Sequence, residues 1–395
     1  MMEVYLDNGA TTKVDPRAVD VMISFMLKDY GNPSSVHSLG QNAEEHLEKA
    51  RETIALKVNA KRDEIIFTSG GTESDNLAIR GVAHKKGSGH IITSKIEHPA
   101  VLNTCKRLEN EGFSVTYLGV DKEGFIDIKE LEDAITDKTI LISIMHVNNE
   151  IGVIQDLESI GRIAKEKGVI FHSDTVQSFT KVPIDVEKMN LSMASFASHK
   201  IHGPKGVGAL YIKKGIGIDK LLYGGHQEKD LRPGTQNMPA IMGFAKAAEL
   251  MTDDDLARMQ KLRDRLAEGI LDEVKDCFLN GSKDKRSVNN VNISFRYIEG
   301  ESILLHLDMH GISVSTGSAC SSQSLRPSHV LTALGLKAEE AHGSVRFTLS
   351  RFTTEAEIDH TIEAVRSVIP DLRKMSPLKK GMEDMKWDEV DHDHA

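Results

Sequence analysis

Seven short apolar runs rich in β-branched residues, separated by longer amphipathic segments, constrain the fold of this chain more than any other feature. The runs are EIIFTS (64–69), HIITS (90–94), SVTYLGV (114–120), TILISIMHV (139–147), GVIFHSD (168–174), MASFASH (193–199) and VGALYI (207–212). Near-continuous apolar runs of this length suit strands buried on both faces. The segments between the earlier runs, such as ESDNLAIRGVAHKKG (73–87) and ESIGRIAKEKG (158–168), carry helical periodicity. This alternation predicts an α/β domain with a mostly parallel seven-stranded sheet. Only KIHGPKG separates the last two runs, too little for a crossover helix, so that pair is not expected to be a βαβ unit.

From about Asp253 the pattern changes. A charged helix (DDDLARMQKLRDRLAEGILDEV) leads into NNVNISF (289–295), ISVSTG (312–317) and SVRFTLS (344–350), then into a last helix, EAEIDHTIEAVRSVI. This reads as a smaller α+β domain. The expected division is a large domain over 14–255, a small domain formed by 1–13 and 256–375, and a polar tail over 376–395. The tail holds His392 and His394, which suit either a metal site or a solvated terminus.

With 49 basic and 59 acidic side chains the net charge is −10, which argues against a general nucleic-acid or membrane-surface binder. The longest apolar stretch, 139–147, is too short to cross a bilayer. The opening MMEVYLDNGATT has no basic region followed by an apolar block, so a cytoplasmic location is expected. Cys105, Cys277 and Cys320 are isolated, without a CxxC pair, so no metal site is expected; a cysteine that matters here acts as a thiol.

In open α/β sheets ligands collect at the carboxyl ends of strands, so the polar residues that close each run are the candidates for chemistry. After EIIFTS come Gly70, Gly71, Thr72, Glu73 and Ser74, which open a helix; backbone N–H groups there suit a phosphate, or simply an N-cap at Thr72 or Ser74. Asp174 closes GVIFHSD and is followed by Gln177. A buried acid is expensive unless partnered. Ser198, His199 and Lys200 follow MASFA, and the amine of a lysine in such a site can form a Schiff base. His98, in Glu97-His98-Pro99, can stack on a flat cofactor and move protons. Asn148 and Asn149 end the 139–147 run with amides suited to a ring oxygen.

The chain resembles, nearly end to end, a cysteine desulfurase of the NifS/IscS type in the class V aminotransferase superfamily. The resemblance rests on YLDNGATT (5–12), GNPSSVHSLG (31–40), TSGGTESDN (68–76), EHPAV (97–101), MHVNNEIG (145–152), SDTVQS (173–178), SHKIHGPKG (198–206), RPGT (232–235), STGSACSS (315–322) and SRFTT (350–354). It implies an aspartate-aminotransferase-like fold of type I that binds pyridoxal 5'-phosphate. On this resemblance Lys200 holds the aldehyde, Asp174 pairs with the pyridinium nitrogen and His98 lies over the ring. Asn149 and Gln177 stand near the ring oxygen; Gly71, Thr72, Ser198 and His199 surround the phosphate. Thr235 reaches the phosphate of the other subunit of a homodimer, and Arg351, with Asn149, binds the substrate carboxylate.

Cys320 narrows the reaction. Its neighbours, STGSACSSQS, are small and polar, unlike the settings of Cys105 and Cys277. A free thiol titrates near pH ~8.5, so attack on a substrate sulfur needs a local base or a lowered pKa. The resemblance implies that Cys320 takes sulfur from L-cysteine, leaving L-alanine and an enzyme persulfide. The long Ser/Gly-rich loop resembles the branch that feeds iron–sulfur assembly through scaffolds of the IscU type, with tRNA thiolation as another outlet. Gly71, Pro233, Ser350 and the SDTVQ form depart from the usual pattern. Another enzyme of the same fold, such as an aminotransferase or selenocysteine lyase, would share Lys200 and Asp174 without needing Cys320. A sulfur carrier with a relic site is the alternative outside enzymes.

Overall fold

All seven apolar runs form strands of one sheet. The computed structural model describes residues 2–317 and 327–377. Its strands are β1 (Val4–Tyr5), β2 (Ile65–Thr68), β3 (His90–Ser94), β4 (Ser114–Leu118), β5 (Thr139–Ser143), β6 (Ile170–Asp174), β7 (Met193–Ala197), β8 (Gly208–Ile212), β9 (Cys277–Leu279), β10 (Asn290–Phe295), β11 (Ile312–Ser313) and β12 (Ser344–Thr348). The large sheet has the order β2-β8-β7-β6-β5-β3-β4. Its neighbours are parallel except at β8, which runs antiparallel to both β7 and β2. The short 200–206 link is the reason: it turns the chain back instead of crossing the sheet.

Both faces of the sheet are covered, and that is why the strands read as continuous apolar runs. Ile65, Phe67, Ile92, Ile142, Phe171 and Phe196 enter one cluster, while their neighbours Ile66, Ile91, Leu141 and Met193 enter another on the opposite face. Helices α1 (Pro16–Leu27), α2 (Ser38–Leu56), α3 (Gly71–Lys86) and α4 (Pro99–Glu109) begin the covering layers. Pro16 and Pro99 sit in the first turn of their helices, where a missing N–H leaves no bond unmade. Gly87 ends α3 in the left-handed conformation, at φ 77°.

A three-stranded sheet, β12-β10-β9, lies with the helices Asp253–Glu273 and Glu355–Met375 around a separate apolar cluster that includes Leu266, Ile293, Phe347 and Ile369. The last helix continues through Pro370, beyond the expected end of its pattern. The ISVSTG run pairs only over Ile312–Ser313, with β1.

The N-terminal strap joins the two sheets. Val4 and Tyr5 pair with β11, the Asn8 N–H bonds the Thr348 carbonyl, and Thr12 and Asp15 donate to the carbonyls of His199 and His202. Residues 7–12 are therefore held between β12 and the turn that carries Lys200. Among the described residues no helix is long and apolar enough to cross a membrane.

Candidate functional site

The carboxyl ends of β5, β6 and β7 and the N-termini of α3 and α4 meet above the large sheet. Asp174 is the last residue of β6 and is 5% exposed. Its carboxylate accepts the Val176 N–H at 2.9 Å. Burial raises its pKa, and the charges of His98 and Lys200 oppose that rise. His98 caps α4, and its Nδ1 accepts the Ala100 N–H at 3.1 Å, leaving Nε2 as the nitrogen turned to other partners. Burial lowers the pKa of His98. One carboxylate oxygen of Asp174, one of Asp75 and a ring nitrogen of His98 lie within 4.8 Å of one another.

Lys200 ends the short 3₁₀ turn after β7. Its Nζ donates to the carbonyls of Gly9 and Ala10, at 2.6 and 2.7 Å. Gln177 Nε2 donates to the same Gly9 carbonyl at 3.0 Å. The strap thus delivers acceptors to the lysine from 191 positions away in the chain.

Gly71 and Thr72 open α3 beside this group. An added Cβ at Gly71 would stand 2.6 Å from Val176 Cγ2, so glycine is required by the close approach of the segment after Asp174. His199 bonds Thr11 through Nδ1 at 3.2 Å, and burial lowers its pKa to about 4, with help from Lys200. The imidazole is therefore neutral at pH 7. Thr235 is exposed on the loop after Gly234. Asn149 is buried, and its carbonyl accepts from Arg346.

Ser198 and Arg351 have further neighbours in the fold. A Cβ added at Gly203 would lie 2.1 Å from Ser198 Oγ. Ala197 is the residue whose Cβ comes within 3.7 Å of that position at Gly71. The turn after β7 rotates the hydroxyl toward Gly203, where Oγ is buried without a hydrogen-bond partner among the described residues. Arg351 is buried beside the strap. Its Nη2 is ion-paired with Asp15, its Nη1 donates to the Leu250 carbonyl at 2.7 Å, and its side chain is 3% exposed.

Arg346 is a second buried arginine at the strap, close to the Lys200 turn. It projects from the middle of β12, donates from Nη1 to the Asn149 carbonyl at 2.8 Å and from Nη2 to Asp7 at 2.9 Å. Its Cζ lies 3.2 Å from where a Cβ on Gly9 would stand, beside the carbonyl that holds Lys200. Its Nε is buried and has no hydrogen-bond partner among the described residues. The sequence signal was present: a cation in the centre of the apolar run SVRFT, where an unpartnered charge is costly.

Cys320 lies outside the described residues, as do His392 and His394. The residues flanking its segment converge on the site. Ser328 donates to Glu150 Oε2 at 2.5 Å, and the same oxygen would be 3.1 Å from a Cβ on Gly317. His329 Nε2 donates to the Glu97 carbonyl at 3.0 Å, next to His98.

These groups fit pyridoxal phosphate. Asp174 is a buried acid whose raised proton affinity a cationic ring N–H would relieve, Lys200 supplies an amine, and the N-terminus of α3 offers N–H donors to a phosphate. Comparison with known proteins leads the same way. A family model described as aminotransferase class-V matches residues 4–361. The chain is 50% identical over 384 residues to the cysteine desulfurase IscS of Dictyoglomus turgidum, covering 96% of this chain and 97% of that one. It is 51% identical over 380 residues to the IscS of Methanosarcina thermophila, with 95% and 94% covered. Among solved structures, a NifS-like protein aligns with a TM-score of 0.88 at 40% identity, over 94% of this chain and all of that one. SspA in complex with cysteine aligns with a TM-score of 0.81 at 38% identity, over 89% of this chain and all of that one.

Proposed function

The chain belongs to the class-V aminotransferase family, among its pyridoxal-phosphate-dependent cysteine desulfurases, and from that premise we propose how its own residues divide the work. L-cysteine becomes L-alanine, and the sulfur leaves on Cys320 as a persulfide. The observation that carries the division is the placing of Asp174 and Arg346 around one Lys200 turn, the first an acid for the ring nitrogen and the second a cation for the substrate carboxylate.

When bound, pyridoxal phosphate supplies an aldehyde that amines condense with and a protonated ring that accepts the electron pair freed at the substrate α-carbon. Lys200 would hold the cofactor and, with substrate bound, would move the proton at that carbon. His98, whose pKa burial lowers, would stand over the ring and would take or return a proton. Arg346 and Asn149 orient the substrate so that its sulfur points toward the segment that follows Gly317. The Cys320 thiolate attacks that sulfur; an S–S bond forms as the C–S bond breaks. Gly71, Thr72, Ser198 and His199 would surround the phosphate, and Gln177 and Asn149 would serve the ring oxygen.

A homodimer completes the site. The row Val19, Ile23, Met26 and Leu27 along α1, with Tyr30 just beyond its end, is exposed and apolar, and Thr235 is exposed where a partner's phosphate can meet it. The persulfide sulfur passes to a scaffold of the IscU type for iron–sulfur assembly, with tRNA thiolation as a second outlet, in the cytoplasm. The IscS relatives support the first of these outlets.

Mass spectrometry after treatment with L-cysteine tests the reading. The peptide holding Cys320 is expected to gain one sulfur atom, and Cys320→Ser should keep the cofactor absorbance while sulfide release falls by a factor on the order of 10³. Sulfide production retained in that variant would remove Cys320 from the mechanism.

A further inference from the structure

A second carboxylate lies behind Asp174 that the reaction as described does not use. Asp75 sits on the buried side of α3, 1% exposed, with one oxygen within 4.8 Å of Asp174 and of His98. Its ion-pair neighbour among the described residues is His172 on β6, whose Nε2 is 3.7 Å away. That imidazole is fully buried and bonded by Ser143 and Ser195, at 2.9 and 3.0 Å, and burial lowers its pKa to about 3. It is neutral and brings no positive charge to the acid.

Two buried carboxylates this close do not both ionise. We propose that Asp75 is a positioning residue that keeps a proton, so that the pair carries one negative charge and that charge stays on Asp174, against the cofactor ring. The surroundings decide which of the two is charged. Asp174 accepts the Val176 N–H and is faced by His98 from the α4 cap and by Lys200 from the turn after β7. Asp75 is faced by Asp174 from β6, by Glu97 from the turn before α4, and by the neutral His172; the Ser195 hydroxyl on β7 alone favours its charged form. Burial and the charge on Asp174 hold its pKa well above the carboxylate range.

The consequence reaches His98. A second negative charge within 4.8 Å would raise the proton affinity of the imidazole. A proton held on Asp75 keeps His98 neutral and able to accept one during turnover. The inference rests on reading Asp174 as the partner of the ring nitrogen.

Infrared difference spectroscopy on the pyridoxal-phosphate-loaded enzyme is the test. Between pH 6 and pH 9, the spectrum of wild type minus Asp75→Asn should contain the C=O stretch of a protonated carboxyl. Asp75→Asn should bind added pyridoxal phosphate within about threefold of wild type, because the amide replaces a neutral acid. Ser195→Ala, which removes the group favouring the charged form, should keep the stretch to higher pH than wild type and does not depend on Asp75→Asn folding. Absence of the stretch from the difference spectrum would overturn the proposal, as would loss of the stretch at lower pH in Ser195→Ala. A loss of cofactor affinity by about a hundredfold in Asp75→Asn would also overturn it, since that is the effect of removing a charge. Asp174→Asn separates the two readings: if cofactor affinity is unchanged there, the ring-nitrogen assignment fails, whatever the Asp75 stretch shows.

Discussion

The floor of the site and the seam beside it are both buried and polar, but they carry opposite charge. The floor, at the ends of β5 to β7, holds three buried acids, Asp75, Glu97 and Asp174, among neutral imidazoles. The seam, where β10 and β12 meet the strap and the segment after Asn149, holds buried Arg263, Arg286 and Arg346. Arg286 donates to the carbonyls of Ile151, Ser282 and Asn280 and to Asn290. Burial there lowers its pKa to about 9. Each region is costly in isolation. A substrate with a carboxylate at one end, bound to a cofactor with a cationic ring nitrogen, matches the polarity of the two together. The fold supplies part of the balance on the seam, where Arg346 pairs with Asp7 and Arg263 with Asp264.

The largest effect is expected on the acid side. Asp174→Ala should weaken pyridoxal phosphate binding by about a hundredfold, roughly 3 kcal/mol, because the ring N–H loses its buried partner. Titration of apoenzyme with cofactor, followed by absorbance, measures this. Unchanged affinity would mean that the floor is not where the ring nitrogen sits.

Of the same order is the cost of breaking the Arg351–Asp15 pair, which belongs to neither region's chemistry. Arg351→Gln removes one of the two guanidinium partners of buried Asp15, leaving the pair with Arg17, and should destabilise the fold by about 2 kcal/mol in denaturant unfolding. A change in substrate affinity with no loss of stability would restore Arg351 to the site.

The smallest effect is a pH dependence of the floor. His172 has a folded pKa of about 3 against an unfolded value near 6.5, so the unfolded chain binds its proton first as pH falls. The contribution to stability is full above pH ~6.5 and declines as pH drops toward the folded value. Glu97, held protonated up to about 8, acts with the opposite sign over the same range, so the comparison must be made between variants. The stability of wild type relative to His172→Asn should fall by about 2 kcal/mol between pH 7 and pH 5, measured by denaturant unfolding at each pH. A difference independent of pH would show that His172 is not held neutral.

Much of the floor was legible in sequence because strands buried on both faces write themselves as apolar runs, and the residues that end those runs stand out. Asp174, His98 and Lys200 were found in that way. Asp75 was not, since one acid in a mixed helical pattern looks like any solvated position. The seam was harder for a different reason. Arg346 meets Asp7 across 339 positions, and Arg351 meets Asp15 across 336; no local pattern says which arginine the strap will neutralise. The direction of the 3₁₀ turn that carries Ser198 is not recorded in spacing along the chain.

The division of charge is tested most directly by the dissociation constant for L-cysteine in two variants, Arg346→Lys and Arg351→Lys, each in a Cys320→Ser background where turnover is stopped. Binding is followed by the change in cofactor absorbance. Arg346→Lys should weaken binding by about thirtyfold, roughly 2 kcal/mol, and Arg351→Lys should leave it within about threefold. The reverse pattern, with Arg351→Lys the damaging change, would contradict the account.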